Sequence, residues 1–212
     1  MAKYDYQPFE YVKPAGLAAP EERKDVVIIG AGPIGLAMAI DLALHGIKSV
    51  VLDDNNVVSV GSRAICWSKR TLEIFDRLGV GERMLEKGVT WQVGRLFHGD
   101  DEVYNFNLLP EGGHKYPAFI NLQQYYVEQY LVERAREFTD FIDLRFKNKV
   151  ITHHDDGDHV EIDIETPDGV YQLSSQYVLA CDGAGSATRK RMQLPFEGQT
   201  CLLYTSPSPR DA

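Results

Sequence analysis

The 212-residue sequence is poor in cysteine: it has only Cys66, Cys181 and Cys201, which are too far apart for a CxxC pair or a zinc-binding spacing. A disulfide framework is therefore excluded as the basis of the fold, and we expect a reduced, cytoplasmic chain. No apolar run is long enough for a transmembrane helix, so we expect no membrane association. Residues 1–24 lack the apolar segment of a signal peptide, and their prolines, tyrosines and charges predict an extended arm on the surface.

Positive charge is also scarce, with 22 Lys+Arg against 31 Asp+Glu and a formal net charge of -9. A general nucleic-acid-binding protein needs a basic face, so this balance argues against that class. The sequence contains no GxSxG elbow and no hydrolase-like spacing of Ser, His and Asp. A local phosphate site built from backbone amides stays compatible with an acidic chain.

A βαβ unit is present near the start of the chain. Val26–Ile29 is a short β-branched run typical of a buried parallel strand, Ile34–His45 is a helix rich in Ala and Leu, and Ser49–Leu52 is a second apolar strand. This order predicts an α/β fold, a Rossmann-like domain with a parallel sheet.

The rest of the chain alternates between helical and strand-like segments. We expect helices over Lys69–Leu78, Glu82–Lys87 and Leu122–Phe138, a loop over Asn55–Trp67, a hairpin formed by Trp91–Phe97 and Glu102–Phe106, and strands over Asp143–Thr152, Val160–Thr166, Val170–Leu173 and Tyr177–Ala180. The segment "HHDDGDH", His153 to His159, has the residue types of a metal site, but Asp-Asp-Gly-Asp between two strand-like runs is turn chemistry. We therefore predict no metal site.

The turn of the βαβ unit carries a dinucleotide-binding pattern. Gly30, Gly32 and Gly35 form GxGxxG between strand and helix, and Pro33 suits the first helical turn. In this context Gly30 permits the tight turn, Gly32 lets the backbone approach a pyrophosphate, and Gly35 lets the helix pack close to the strand. The helix N-terminus offers free N–H groups to the phosphates.

Acidic residues follow the second strand. Asp53 stands where an acid accepts hydrogen bonds from a ribose diol, and the adjacent Asp54 takes that place if the strand register shifts by one residue. The pattern predicts a bound dinucleotide but does not separate NAD from FAD.

A second glycine-rich segment, "CDGAGSATR", follows the strand-like run that ends at Ala180. It resembles the DG fingerprint of the FAD-dependent aromatic hydroxylases, the single-component flavoprotein monooxygenases. Two further segments, "GSRAICWSKRTLEIFDRLGV" and "FINLQQYYVEQYLVERA", look like those of the hydroxyphenylpropionate and pentachlorophenol hydroxylase branch. The resemblance runs from about Asp25 to about Thr200 and rests on four ordered motifs.

The resemblance assigns expected roles to individual residues. Arg63 would lie near the flavin and its pyrophosphate. Gln124 would contact the flavin from its helix, although Gln123 stays an alternative. Asp182, with Gly183 and Arg189 in the same motif, would be linked to binding of both FAD and NAD(P)H, and it would hold backbone geometry or an arginine more than it would contact phosphate.

The resemblance also implies a reaction. NAD(P)H would reduce FAD, molecular oxygen would give a flavin C4a-hydroperoxide, and an oxygen atom would pass to a small aromatic, phenol-like substrate. No side chain is assigned as a catalytic acid or base. The segment 91–119 would begin a β-rich substrate-facing layer. Two alternatives stay open: a nicotinamide-dependent dehydrogenase on a plain Rossmann fold, and a truncated FAD-binding module without turnover.

We expect three regions: an arm over residues 1–24, an incomplete FAD-binding domain over 25–200, and a non-native tail over 201–212. The end of the chain, "TCLLYTSPSPRDA", has no counterpart in the family, and its back-translation looks like a transposase-type sequencing adapter. A family member would continue into a substrate domain and a second flavin motif with Gly-Asp. The sequence therefore predicts an inactive N-terminal fragment.

Overall fold

The computed structural model describes residues 4–61 and 64–198. Its elements in chain order are β1 (Lys24–Ile29), α1 (Pro33–Leu44), β2 (Ser49–Asp53), β3 (Cys66–Ser68), α2 (Lys69–Arg77), α3 (Gly81–Lys87), β4 (Val89–Trp91), β5 (Val93–His98), β6 (Asp101–Asn107), β7 (Phe119–Asn121), α4 (Gln124–Ala135), β8 (Ile142–Phe146), β9 (Lys149–Asp155), β10 (Val160–Thr166), β11 (Gly169–Ala180) and α5 (Ala187–Arg191). Short 3₁₀ turns lie at Ala15–Leu17 and Arg136–Phe138.

The main sheet has six strands within the described residues, in the order β8-β2-β1-β11-β10-β9. β1 is parallel to both β2 and β11, and β2 is parallel to β8. β10 runs antiparallel to β9 and β11. Two smaller sheets, β3-β7-β4 and β5-β6, lie outside it. The carboxyl ends of β1, β2 and β11 therefore meet at one edge of the main sheet.

Both faces of β1 are buried from Val26 to Ile29, which explains why these four residues are all apolar. Ile28 packs on one face in a core with α1 and α4, represented by Ile40 and Leu131. Val27 packs on the other face with residues of the antiparallel strands such as Ile162. The helices and the antiparallel strands thus hold the parallel strands from opposite sides.

The predicted fold class is confirmed: the chain has an α/β architecture that starts with a βαβ unit, and antiparallel strands complete its sheet. Four local predictions are wrong. The strand predicted over Asp143–Thr152 is two strands, β8 and β9, and the strands predicted over Val170–Leu173 and Tyr177–Ala180 are one, β11. The loop predicted over Asn55–Trp67 ends in β3, and Trp91 leaves the predicted hairpin for β4.

The small sheets explain the last two errors. Cys66–Ser68 and Val89–Trp91 each pair with the three residues of β7, from opposite sides. Strands this short carry little periodicity of their own, and their pairing with a distant segment decides their structure. The hairpin itself consists of β5 and β6.

The segment before β1, residues 4–23, lies against the domain; we call it the arm. Phe9 stacks on Phe146 with ring centroids 4.6 Å apart. The ring of Tyr4 contacts Tyr125 and Tyr126 on α4, at centroid distances of 4.1 and 5.2 Å. These tyrosines of α4 therefore pack against the arm.

Two predicted features lie outside the described residues: Arg63 and the tail over residues 201–212. Within residues 4–61 and 64–198, no helix combines the length and the apolar character needed to cross a bilayer.

Candidate cofactor-binding cleft

A cleft of about 590 Å³ lies at the carboxyl ends of β1, β2 and β11. Most of the predicted cofactor residues meet there, although they come from four separate parts of the chain. The lining includes Gly30, Gly32, Pro33, Asp53, Asp54, Ser59, Gln124, Glu128, Asn148, Lys149, Cys181, Asp182, Gly183 and Arg191. Ligands of open α/β sheets bind at this edge, in the crevice outside the carboxyl ends of the strands.

The three glycines of the first motif have different surroundings. Gly30 has φ +104, and a Cβ there would meet the carbonyl oxygen of Cys181 at 2.5 Å. A Cβ at Gly35 would lie 1.9 Å from the carbonyl oxygen of Gly30. At Gly32, no described atom lies within 4 Å of the Cβ position. Gly30 and Gly35 thus serve the packing of the turn, whereas Gly32 faces open space in the cleft.

Helix α1 begins at the cleft. Gly32 precedes its first residue, Pro33, and within the described chain no side chain caps this end and no acid lies in its first turn. Its first N–H groups and the positive end of its dipole therefore stay available to an anion. A pyrophosphate suits such a helix end, and the open position at Gly32 leaves room for it.

Asp53 braces the glycine-rich turn. One of its carboxylate oxygens accepts the N–H of Ala31 at 2.6 Å, and the other accepts the N–H of Asn55 at 2.8 Å. Burial raises the pKa of Asp53, and the neighbouring carboxylates of Asp54 and Glu128 raise it further. Together they outweigh the two N–H donors, which lower it. Asp54 is exposed and accepts a hydrogen bond from the Asn55 amide at 2.8 Å. Both acids border the cleft, and Asp53 is already engaged with the backbone.

Helix α4 contributes Gln124 and Glu128 from one face. Glu128 is only 3% exposed, and it accepts three hydrogen bonds: from the N–H of Ser59 at 2.5 Å, the hydroxyl of Ser59 at 2.8 Å, and the Gln124 amide at 2.6 Å. Because the carboxylate takes the NH₂ group of Gln124, the amide oxygen is left as an acceptor for a hydroxyl donor. Gln123 precedes the helix, and among the described residues the lining includes Gln124 without it.

Asp182 holds the turn after β11. Its carboxylate accepts the Ser186 hydroxyl at 2.6 Å and the Thr188 N–H at 3.0 Å. Burial raises the pKa of Asp182, but these hydrogen bonds outweigh that effect and lower it below the usual value. Gly183, at φ +80, faces the cleft beside it. Asp182 therefore fixes backbone geometry at the cleft edge.

Arg189, the last residue of the second motif, and Arg191, just beyond it, have different surroundings. Arg189 lies 4.7 Å from the ring of Phe196 and donates to the carbonyl of Leu194 at 3.4 Å. Arg191, two residues on, borders the cleft and donates to the carbonyl of Val150 at 3.1 Å. Together with Lys149, Arg191 brings positive charge to a lining otherwise rich in acids.

The sequence did not single out Ser59, Asn148, Lys149 or Arg191 as cleft residues. Asn148 and Lys149 were hidden inside the predicted long strand, and the turn between β8 and β9 brings them to the cleft. For Arg191, the available signal is its place on a short basic helix soon after Asp182. Cys181 also borders the cleft, and burial raises the pKa of its thiol, as does the nearby Asp182.

Comparison with known proteins identifies the family of this architecture. The sequence profile of the FAD binding domain family matches residues 23–205. The chain belongs to this family. The geometry fits the cofactor, because the uncapped helix end, the open position at Gly32 and the acceptor of Gln124 suit a pyrophosphate joined to a polyol chain.

The relatives are named as hydroxylases and monooxygenases. The chain is 28% identical over 176 residues to 3-(3-hydroxy-phenyl)propionate/3-hydroxycinnamic acid hydroxylase of Mycolicibacterium smegmatis, covering 83% of this chain and 31% of that protein. It is 30% identical over 178 residues to para-nitrophenol 4-monooxygenase of Pseudomonas sp. strain WBC-3, covering 82% and 44%. The predicted resemblance to flavin-dependent aromatic hydroxylases is thereby confirmed.

A solved structure shows the same fold. The crystal structure of p-nitrophenol 4-monooxygenase from Pseudomonas putida DLL-E4 matches with a TM-score of 0.78 and 29% identity, covering 84% of this chain and 46% of that one. The chain thus spans less than half the length of these relatives.

Proposed function

We propose that this chain is the FAD-binding part of an NAD(P)H-dependent flavoprotein monooxygenase that hydroxylates a small aromatic, phenol-like substrate. The observation that carries the proposal is the open position at Gly32, at the start of an uncapped helix and opposite the second glycine motif. The names of the relatives, which include hydroxylases of phenolic compounds, support the substrate class.

Different residues of the chain would hold different parts of FAD. The N–H groups at the start of α1 would receive the pyrophosphate beside Gly32. Arg191 would add positive charge there, as would Arg63 according to the family resemblance. Asp53 and Asp182 would brace the backbone turns beside the cofactor, where each carboxylate accepts two hydrogen bonds.

The amide oxygen of Gln124 would accept a hydroxyl of the ribityl chain, because Glu128 fixes the other end of that amide. Bound FAD would supply the redox chemistry, taking electrons from NAD(P)H and activating molecular oxygen for transfer to the substrate. The protein would orient the ring system and keep water away from it. The route of oxygen transfer expected from the sequence is part of this proposal.

Purified protein supplemented with FAD tests the proposal. We expect bound FAD by absorbance and by quenching of flavin fluorescence. Nicotinamide binding without flavin would instead favour a dehydrogenase, and a folded chain that takes up no FAD would overturn the proposal. NAD(P)H oxidation with a panel of phenols tests the reaction itself. Because the sequence predicts an inactive fragment, we expect no phenol-dependent oxidation, which fits a binding module as well, and its occurrence would overturn that prediction.

A further inference from the structure

The loop that follows β2 forms one wall of the cleft. We call residues 55–61 the cleft loop. Ser59, near its middle, borders the cleft and donates two hydrogen bonds to Glu128 of α4. The loop has no regular secondary structure, so its own backbone supplies few of the contacts that keep Ser59 in place.

The arm holds the cleft loop at both ends. Near its start, Asn56 and Phe9 exchange two hydrogen bonds: the Phe9 N–H donates to the Asn56 carbonyl at 2.6 Å, and the Asn56 amide donates to the Phe9 carbonyl at 3.0 Å. At its end, the Gly61 N–H donates to the Tyr6 hydroxyl at 3.1 Å. Ser59 lies between these two attachments.

The arm is itself attached to the elements that carry the rest of the cleft. The Tyr4 hydroxyl donates to the Gln129 side chain at 2.7 Å, one residue after Glu128 on α4. The Phe9 ring stacks on Phe146, at the end of β8. The arm therefore ties the cleft loop to the helix that carries Gln124 and Glu128.

We propose that the arm is a positioning element of the cofactor site, and that it raises FAD affinity by ordering the cleft loop before FAD arrives. This inference rests on the proposed function. Fixing the backbone of a loop costs conformational entropy, so a loop that is already ordered leaves less of this cost to the binding step. Tyr6 and Phe9 act through the loop, and neither borders the cleft among the described residues.

Two tyrosines of the arm provide a matched pair of variants. Tyr6→Phe removes the acceptor of the Gly61 N–H, whereas Tyr11→Phe removes the hydroxyl that donates at 3.1 Å to Asp168, which lies between β10 and β11 and not in the cleft loop. Phe9→Ala removes the stacking partner of Phe146, and Phe9→Leu keeps most of its bulk. All four variants are made in the 212-residue chain.

Two measurements separate positioning from general stability. The first is the FAD Kd, at a temperature where thermal melts show each variant fully folded. We expect Tyr6→Phe to raise Kd about threefold and Phe9→Ala about tenfold, while Phe9→Leu recovers most of the affinity and Tyr11→Phe matches the unaltered chain. The second is amide hydrogen exchange without FAD, which we expect to become faster at residues 56–61 in Tyr6→Phe and Phe9→Ala only.

The outcomes separate the role of the arm from the proposed function. Equal FAD Kd in the unaltered chain, Tyr6→Phe and Phe9→Ala would overturn the role of the arm and leave the proposed function intact. Unchanged exchange at residues 56–61 would overturn it as well, without any reference to FAD. If the folded, unaltered chain binds no FAD, the proposed function and this inference both fail.

Discussion

Gly32 and Gly35 belong to one motif, yet a side chain at each position would meet different surroundings. At Gly35 a Cβ would press on the carbonyl oxygen of Gly30 at 1.9 Å, so only glycine lets α1 approach β1. At Gly32 the space is open, and the backbone conformation, φ -74 and ψ -178, is one that any residue adopts. The fold therefore requires glycine at Gly35, and at Gly32 we propose that ligand access requires it.

Substituting Gly32 with Val tests this division. We expect the fold to survive and the FAD Kd to rise at least about tenfold, since the added side chain occupies the place of the pyrophosphate. Calorimetric titration measures the affinity, and urea unfolding measures the stability. Gly35→Ala is the control for the packing role, and we expect it to lower the stability of the fold. An unchanged FAD Kd in Gly32→Val would contradict the assignment.

Glu128 is the second position with a specific expectation. Glu128→Gln places an NH₂ group where three donors now converge, so at least one hydrogen bond is lost. We expect the free energy of unfolding to fall by about 1–3 kcal/mol. FAD affinity should fall too, because Gln124 loses its fixed orientation.

Glu133→Gln is the control on the same helix, because Glu133 forms a half-exposed ion pair with Arg83. Such pairs contribute at most about 1 kcal/mol, so stability should change little. Urea unfolding and FAD fluorescence titration of both variants check the comparison. Equal losses of stability and FAD affinity in both variants would mean that the hydrogen bonds to the buried Glu128 have no special role.

Sequence reasoning located the residues of the cleft more readily than their contacts. The glycines and Asp182 have spacings set by local backbone geometry, so their motifs can be read from a single sequence. The contacts of Asp53 depend on a turn 22 residues earlier in the chain, where Ala31 presents its N–H. The directions of Arg189 and Arg191 depend on neighbours such as Phe196 and Val150, which no local pattern reveals.

At the level of elements, the errors in strand assignment have a physical origin. The break between β8 and β9 occurs at Lys147, whose φ of +58 is unusual for a residue other than glycine. β11 stays one strand across its polar middle, "SSQ", because its first half pairs with β10 and its second half with β1. Tertiary pairing therefore overrides the local pattern in both places.

The junction between the arm and β8 gives a pH-dependent prediction. Glu21 and Arg145 form a two-point ion pair at 2.8 and 2.9 Å, with side chains 8% and 9% exposed. Burial alone would raise the pKa of Glu21, but Arg145 and Lys24 outweigh it and lower the pKa to about 2 from the usual 4.5. A lowered acid pKa stabilises the fold above pH 4.5, and this stability is lost as the pH falls towards 2.

Glu21→Gln tests this ion pair. We expect a loss of about 2 kcal/mol at neutral pH, less than for an isolated buried pair because Arg145 keeps Asp143. Between pH 4.5 and 2 the variant should lose less stability than the unaltered chain. Urea unfolding at stepped pH measures both effects. Glu165→Gln is the control, because Glu165 forms an exposed pair with Lys149. If Glu21→Gln and Glu165→Gln show the same dependence of stability on pH, the role of Glu21 is refuted.

On the scale of the whole molecule, the β5-β6 hairpin leaves apolar side chains exposed on both strands. Leu96 is 51%, Phe97 57%, Val103 62% and Tyr104 59% exposed. Exposed apolar side chains on neighbouring strands favour association between molecules. None of these side chains borders the cofactor cleft among the described residues.

We therefore expect the chain to self-associate through the hairpin. The double variant Phe97→Ser and Val103→Ser should lower the average mass in light scattering after gel filtration, with FAD affinity unchanged. Val170→Ser is the matched control, since Val170 is 60% exposed but lies at the start of β11. An identical mass distribution for the double variant and the unaltered chain would show that the hairpin is not the contact.

The central pairing of the main sheet joins distant parts of the chain. Lys24 pairs with Ser175 and Ile29 with Ala180, so most of the described sequence separates β1 from its parallel neighbour β11. Forming such a contact requires closure of a very long loop, and proteins dominated by such contacts fold slowly. During synthesis the turn at Gly30 cannot be completed until Cys181 has been added, because the Cys181 N–H donates to the Ile29 carbonyl at 2.8 Å. The cleft therefore cannot be complete before β11 has been synthesised, and a nascent chain that stops short of β11 has no complete place for a cofactor.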